Sequence, residues 1–123
     1  MRVNRVRGTE YLRWCSVKLV GVFDETAQIM TGLIEAGFGP ADKLVYGTDG
    51  AVLPHDMGGW QFGIMVESGM APMDAMRSAM SVAAKHMGWS DKVGAVMPGL
   101  YGDLIAVRGN PLEDQGVMKD VQV

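Results

Sequence analysis

KLVYGTDGAVLP, residues 43–54, is the stretch that best predicts how the rest of the chain folds. Its run of β-forming residues, Leu44 to Tyr46, is broken by Gly47, and Asp49-Gly50 then turns the chain. This pattern is typical of a buried strand that delivers a carboxylate to the end of a sheet. Because α/β barrels keep their chemistry at the C-terminal ends of their strands, Asp49 is the strongest candidate for a functional residue.

The segment before this strand predicts a helix over residues 24–37. Asp24 is suited to cap its start, and Gly37 is suited to end it. Its apolar residues recur at helical spacing, at Ile29, Met30, Leu33, Ile34 and Ala36. A helix, a short loop and a buried strand make an α/β unit of a parallel sheet.

The segments after the loop predict two more helices and then short strands. Trp60–Ser68 is predicted to be a short helix closed by Gly69, and Pro72–Met87 a long one. The long helix has an apolar face that we expect in the core, formed by Met73, Met76, Met80, Ala83 and Met87. Strands are predicted at Val93–Met97 and Leu104–Val107, and Val121–Val123 is expected to begin another that the chain end cuts off.

The composition is that of a globular protein and excludes several classes of function. The chain has 123 residues, of which 48% are hydrophobic and 20% charged, and its net charge is −3. This charge argues against nucleic acid as the main partner. No apolar run is long enough to predict a membrane span. The single cysteine, Cys15, cannot form an internal disulfide and is expected to be a buried thiol, so we expect a cytoplasmic location.

Three interpretations of Asp49 follow from the residues alone. It can ligate a metal ion such as zinc, or take a proton from metal-bound water as a general base. Asp49-Gly50 can also be an ordinary turn dipeptide, which is the preferred interpretation when the dipeptide is considered by itself. The Gly-Thr-Asp-Gly metal loop of phosphohexomutases is a further alternative. It is disfavoured because the apolar segment 51–54 follows and no arginine stands beside the loop.

We expect different roles for the two histidines. His55 lies in the same loop as Asp49, where it can bind substrate, supply a metal ligand or be an exposed loop residue. His86 is predicted in the last turn of the long helix, where a cation suits the helix dipole, and a structural role is expected for it.

The order of motifs over residues 43–123 resembles the C-terminal part of the amidohydrolase superfamily, most of all its imidazolonepropionase and Xaa-Pro dipeptidase (prolidase)-like branch. The matching motifs, in chain order, are Tyr46-Gly47-Thr48-Asp49, Pro54-His55, Met65–Ala75, Val93-Gly94, Pro98-Gly99, Asp103–Val107 and Asn110-Pro111-Leu112.

The resemblance implies an α/β fold, namely a piece of a (β/α)8 barrel with strands of a small β-sandwich. Residues 1–23 are then an unassigned basic leader, residues 24–88 the last barrel units with their helices, and residues 89–123 the sandwich strands. The resemblance also implies hydrolysis of a C–N bond, in a cyclic amide or a dipeptide, by metal-activated water. Asp49 is then a metal ligand and proton shuttle, and His55 lies near the substrate.

The sequence lacks the other metal ligands of the superfamily, which are a His-x-His pair, usually a lysine, and two later histidines. With two histidines in all, this chain is expected to bind no catalytic metal and to be inactive alone, because a catalytic zinc takes three protein ligands. A truncated gene product, a fragment and one subunit of a split enzyme remain open. Self-association, or a chain that supplies the missing strands, is expected to cover the apolar helix faces. The alternative is a small, non-catalytic α/β interaction module.

Overall fold

The computed structural model describes residues 25, 27–37, 44–48 and 57–122, and these residues are mostly helical. Helix α1 covers residues 27–35, with residue 25 also helical. Three further α-helices and one 3₁₀ helix follow, which are α2 (Trp60–Glu67), α3 (Pro72–Ala79), α4 (Ser81–His86) and the 3₁₀ helix Gln115–Lys119. No helix within these ranges combines the length and the apolar character needed to cross a bilayer.

The predicted helix boundaries are largely confirmed, because they depend on local signals. Pro72 occupies the first turn of α3, where its missing N–H leaves no hydrogen bond unmade, and Asp74 lies beside it near the positive end of the helix. The predicted terminating glycines all have positive φ angles, namely Gly37 (78°), Gly69 (101°) and Gly88 (71°). His86 is the last residue of α4, as predicted.

The long helix predicted at Pro72–Met87 is instead two helices that meet at Met80. This residue has φ −119° and ψ −99°, which interrupts the helical hydrogen bonding. Gly94 packs directly against the break with φ +97°. A Cβ on Gly94 would lie 2.7 Å from the Ala84 Cβ and 2.9 Å from the Met80 carbonyl oxygen, so only glycine fits at this crossing.

The predicted α/β pattern of strands is not formed by the described residues. The one β pairing among them is an isolated antiparallel bridge between Val107 and Val121. Leu44 to Tyr46 has no strand neighbour in this part of the chain, and the Tyr46 N–H donates to the Ser78 carbonyl oxygen of α3 at 3.2 Å. In place of the strand predicted at Val93–Met97, residues 93–95 form bends and residues 96–97 have no regular secondary structure. A strand requires a partner that takes its backbone hydrogen bonds, and the described residues supply that partner only at the bridge.

The core lies around α2, and five buried residues form it: Phe62, Met65, Met70, Ala75 and Met118. Met30 and Ile34 of α1 pack against this cluster, whereas Ile29, predicted on the same apolar face, is 65% exposed. The 3₁₀ helix contributes Met118 and packs on the start of α2. There the Lys119 Nζ lies 4.1 Å from the centroid of the Trp60 ring.

Only part of the predicted methionine face of the long helix is buried. Met76 packs against the core cluster and Ala83 is half-buried, but Met73, Met80 and Met87 are all more than 40% exposed. The buried positions on α3 and α4 are Ala75, Ser78, Val82 and Ala84. Small side chains let α3 approach α2 closely enough for the Ser78 Oγ to reach 4.0 Å from the Met65 Sδ. The Ser78 hydroxyl donates to the Ala75 carbonyl oxygen at 2.7 Å, so its burial leaves no unmade hydrogen bond.

Candidate functional site

Asp49 and His55, the two predicted site residues, lie outside the described residues, as does Cys15. The structure does describe the chain on both sides of the segment that carries Asp49 and His55. Residues 44–48 lead into this segment, and Met57 to Gly59 lead out of it into α2. The geometry of the candidate site is therefore the geometry of these two flanks.

Tyr46 makes three contacts that fix the first flank. Its N–H is bound to α3 through Ser78, as described above. Its ring stacks on Phe62, with centroids 4.8 Å apart and planes inclined by 18°. Its hydroxyl donates to the carbonyl oxygen of Gly58, on the second flank, at 2.6 Å. The segment that was predicted to pair as a strand is thus held by two helices.

Gln61 makes the return contact from α2. Its Nε2 donates to the carbonyl oxygen of Gly47 at 3.0 Å. The Tyr46 and Gln61 side chains therefore cross-connect the two flanks, each reaching from one flank to the backbone of the other. The local sequence pattern does not indicate these two hydrogen bonds. Tyr46 and Gly58 are 12 residues apart, Gln61 and Gly47 are 14 residues apart, and neither pair belongs to a repeated motif.

Partial burial raises the pKa of the Tyr46 phenol above its ordinary value of 10.0, because desolvation disfavours the phenolate. The hydroxyl therefore remains a donor to Gly58 at pH values where an exposed tyrosine has ionised. A pKa raised in the folded state contributes stability below the unfolded pKa, and this contribution is lost as the pH rises through the folded pKa.

An alkaline titration of phenolate absorbance, recorded for the wild type and for Tyr46→Phe, tests the raised pKa of Tyr46. The difference between the two titrations isolates the Tyr46 phenol, and its midpoint should lie above 10.0 because of burial. A difference titration with a midpoint at or below 10.0 would contradict the prediction.

The described residues do not supply a metal-binding set. Within residues 25, 27–37, 44–48 and 57–122, no group of three or more His, Cys, Asp or Glu side chains is arranged to hold a metal ion. A catalytic zinc takes three protein ligands, so this part of the chain does not fit such an ion.

An open groove of about 360 Å³ lies between α1 and α2, lined by Ala27, Gln28, Thr31, Gly32, Glu35, Ile64, Glu67 and Ser68. The hydroxyls in its wall are bound to backbone carbonyl oxygens, Thr31 to Ala27 at 2.9 Å and Ser68 to Ile64 at 2.8 Å. None of its lining residues takes part in the contacts between the two flanks. The groove has no arrangement of groups that supports a reaction.

Comparisons with known proteins bear directly on this framework. The sequence profile of the amidohydrolase family matches residues 23–122. Among solved structures, the chain is similar to a Xaa-Pro dipeptidase crystallised with methionine bound in its active site, with 38% identity and a TM-score of 0.70. The match covers 77% of this chain and 22% of the dipeptidase chain. No curated protein matches the chain.

Proposed function

This chain belongs to the amidohydrolase family, and from that premise we propose that it is the C-terminal part of a metal-dependent hydrolase that cleaves a C–N bond. The family is one of hydrolases, and its dipeptidase neighbour implies a TIM-barrel-type enzyme. The chain spans about a fifth of the length of that neighbour, so the activity is proposed for a complete enzyme and not for this chain alone. A dipeptide or a cyclic amide is the proposed substrate.

The observation that carries this proposal is the match to the dipeptidase, supported by the anchored segment 44–48, which leads directly to Asp49. We propose Asp49 as the catalytic carboxylate and metal ligand of the complete enzyme, and His55 as a substrate-binding residue. Asp49 follows the segment 44–48, which is bound to two helices. Such support suits a catalytic carboxylate, because its position must be fixed for it to act.

The remaining metal ligands are proposed to come from outside the described residues, since those residues do not fit a metal ion. Zinc is the metal we propose, since imidazole and carboxylate ligands suit it. This chain alone is therefore proposed to hold no stoichiometric metal and to be inactive.

The surface of residues 96–105 is the proposed contact with the rest of the enzyme. Its exposed apolar side chains are Val96 (83%), Met97 (63%), Tyr101 (62%), Leu104 (59%) and Ile105 (60%). A patch of this kind marks an interaction surface in a soluble protein. We propose that a chain with the missing barrel strands covers it, or that a second copy does so when that chain is absent.

Metal analysis of the purified chain, of Asp49→Asn and of Asp91→Asn tests the assignment of Asp49. Asp91 is an exposed carboxylate in the turn 90–92, outside the proposed contact surface, and serves as the matched control. We expect substoichiometric metal in all three proteins and no hydrolysis of an Xaa-Pro dipeptide, because one carboxylate and one histidine are too few ligands. After addition of a chain with the missing ligands, zinc and hydrolysis should appear with wild type and Asp91→Asn only.

Two outcomes would contradict parts of this proposal. Stoichiometric zinc in the isolated wild-type chain, lost in Asp49→Asn, would show that the chain completes a site by itself. Zinc and hydrolysis that survive in complemented Asp49→Asn would remove Asp49 from the site.

A non-catalytic interaction module is the second candidate, and the exposed methionines of α3 and α4 favour it. Met73 and Met80 lie on the surface in the described structure, where flexible thioethers suit a binding face. Loss of partner binding in a variant with both residues changed to Gln, without any hydrolysis on complementation, would favour this module over the enzyme.

A further inference from the structure

We propose that Tyr46 and Gln61 are paired positioning residues, which hold the two flanks of the Asp49 segment together at its base. The pairing itself rests on described residues, and only its consequence for Asp49 rests on the proposed function. Neither residue takes part in the chemical step.

The two hydrogen bonds between the flanks run in opposite directions along the chain. Tyr46, before the segment, donates to Gly58 after it, at 2.6 Å. Gln61, after the segment, donates to Gly47 before it, at 3.0 Å. One bond between two flanks leaves them free to rotate about it. Two bonds from different side chains fix both the separation and the relative orientation of the flanks, and closing a loop between fixed ends restricts the conformations open to it.

The pair is itself attached to rigid elements. The Tyr46 ring stacks on Phe62, a core residue of α2 that is 7% exposed. The Tyr46 N–H is bound to α3 at Ser78, which is fully buried. The last anchored group before the segment is therefore the carbonyl oxygen of Gly47, two residues before Asp49. Precise placement of a functional carboxylate requires support of this kind.

The two donors differ in their exposure to water. The hydrogen bond of Tyr46 is partly buried, so water competes for it less than for the exposed bond of Gln61. Tyr46 is accordingly the stronger member of the pair. Tyr46→Phe keeps the stacked ring and removes only the donor, which makes it the sharper test. Gln61→Met removes the second donor and keeps a good helix former in α2.

The test is hydrogen exchange of residues 49–56 in the full chain, measured for wild type, Tyr46→Phe, Gln61→Met and the double variant. Tyr101→Phe is the control, because it removes an exposed phenol elsewhere in the chain. We expect about fivefold faster exchange within 49–56 in Tyr46→Phe, the effect of losing one hydrogen bond of ordinary strength, and a smaller increase in Gln61→Met. The double variant should exceed both, with exchange in α2 and α3 unchanged.

The NMR signals of two side chains give a second readout, which distinguishes a loss of positioning from a general loss of stability. The NMR carboxyl signal of Asp49 should shift in Tyr46→Phe toward its position in the urea-unfolded chain, while the ring signals of His86 stay in place. Equal exchange in wild type and the double variant would overturn the proposal. An Asp49 signal already at the unfolded position in wild type would also overturn it. Neither readout uses hydrolysis, so failure of the proposed enzyme activity is distinguished from failure of the positioning role.

Discussion

Gly59→Ala is expected to lower the free energy of unfolding by about 3 kcal/mol, the upper range for an overpacked interior. A Cβ at this position would lie 2.6 Å from the carbonyl carbon of Met118 and 3.0 Å from the Lys119 nitrogen, and closer still to the Met118 oxygen. Because these are backbone atoms, no rotamer change relieves the contact, and the 3₁₀ helix must move away from α2. Urea unfolding of the two proteins measures the effect.

Gly63→Ala is the matched control on the same helix. Among the described residues, nothing beyond its chain neighbours and the backbone of its own helix lies within 4 Å of a Cβ built on Gly63, so alanine fits there without displacement. Replacing glycine inside a helix should raise the free energy of unfolding by about 0.5–1 kcal/mol, through lower entropy of the unfolded chain and better helix propensity. Opposite signs at two glycines four residues apart would confirm the docking of the 3₁₀ helix. Equal effects would contradict it.

Met65→Ala is expected to cost about 3 kcal/mol, since it removes a side chain from the centre of the core. Met65 is 1% exposed and lies beneath α3, in contact range of Ser78. The lost free energy has two parts. One is the transfer free energy of the removed side-chain atoms, and the other is the cost of the cavity that α2 and α3 cannot close. Thermal or urea unfolding monitored by circular dichroism gives the measurement.

Met73→Ala is the control for Met65→Ala, because the same atoms are removed from a side chain that is 51% exposed. Its expected cost is within about 0.5 kcal/mol of zero. Equal losses at Met65 and Met73 would mean that the apolar face first predicted for the long helix is the buried one after all.

Local signals explain why the helices were predictable. Pro72, Asp74 and the terminating glycines act within one turn of their own position, so the sequence alone locates the ends of α2 and the start of α3. The end of α3 depends on a distant residue. Gly94 packs against Met80 from fourteen positions along the chain, and no helical period contains that information.

The predicted apolar face of α3 differs in part from the buried face for a related reason. Hydrophobicity ranks methionine above alanine and serine, and the methionines recur at helical spacing. Burial here follows from how closely α3 approaches α2, which favours Ala75 and Ser78 over longer side chains. The predicted strands depend in the same way on partners that the segment itself does not encode.

The candidate site divides between what local sequence indicates and what it does not. A carboxylate after a β-forming run is a local pattern, and it singled out Asp49, whose placement stays a prediction because the residue is outside the described part. The positioning pair was not predicted. The local pattern identifies Tyr46 only as a β-former, and it contains no signal that the Gln61 amide in α2 binds Gly47.

The methionine-rich composition of the core has a chemical consequence under oxidising conditions. The chain has 11 methionines, of which Met65 and Met70 are at most 2% exposed while Met73, Met80, Met87 and Met97 are at least 42% exposed. Peroxide reaches the exposed thioethers first, and their sulfoxides remain in water, where the added polarity costs little. A sulfoxide at Met65 would place a strong acceptor among apolar side chains. Oxidation of the interior therefore follows opening of the fold, and the surface methionines consume oxidant before the core is exposed to it.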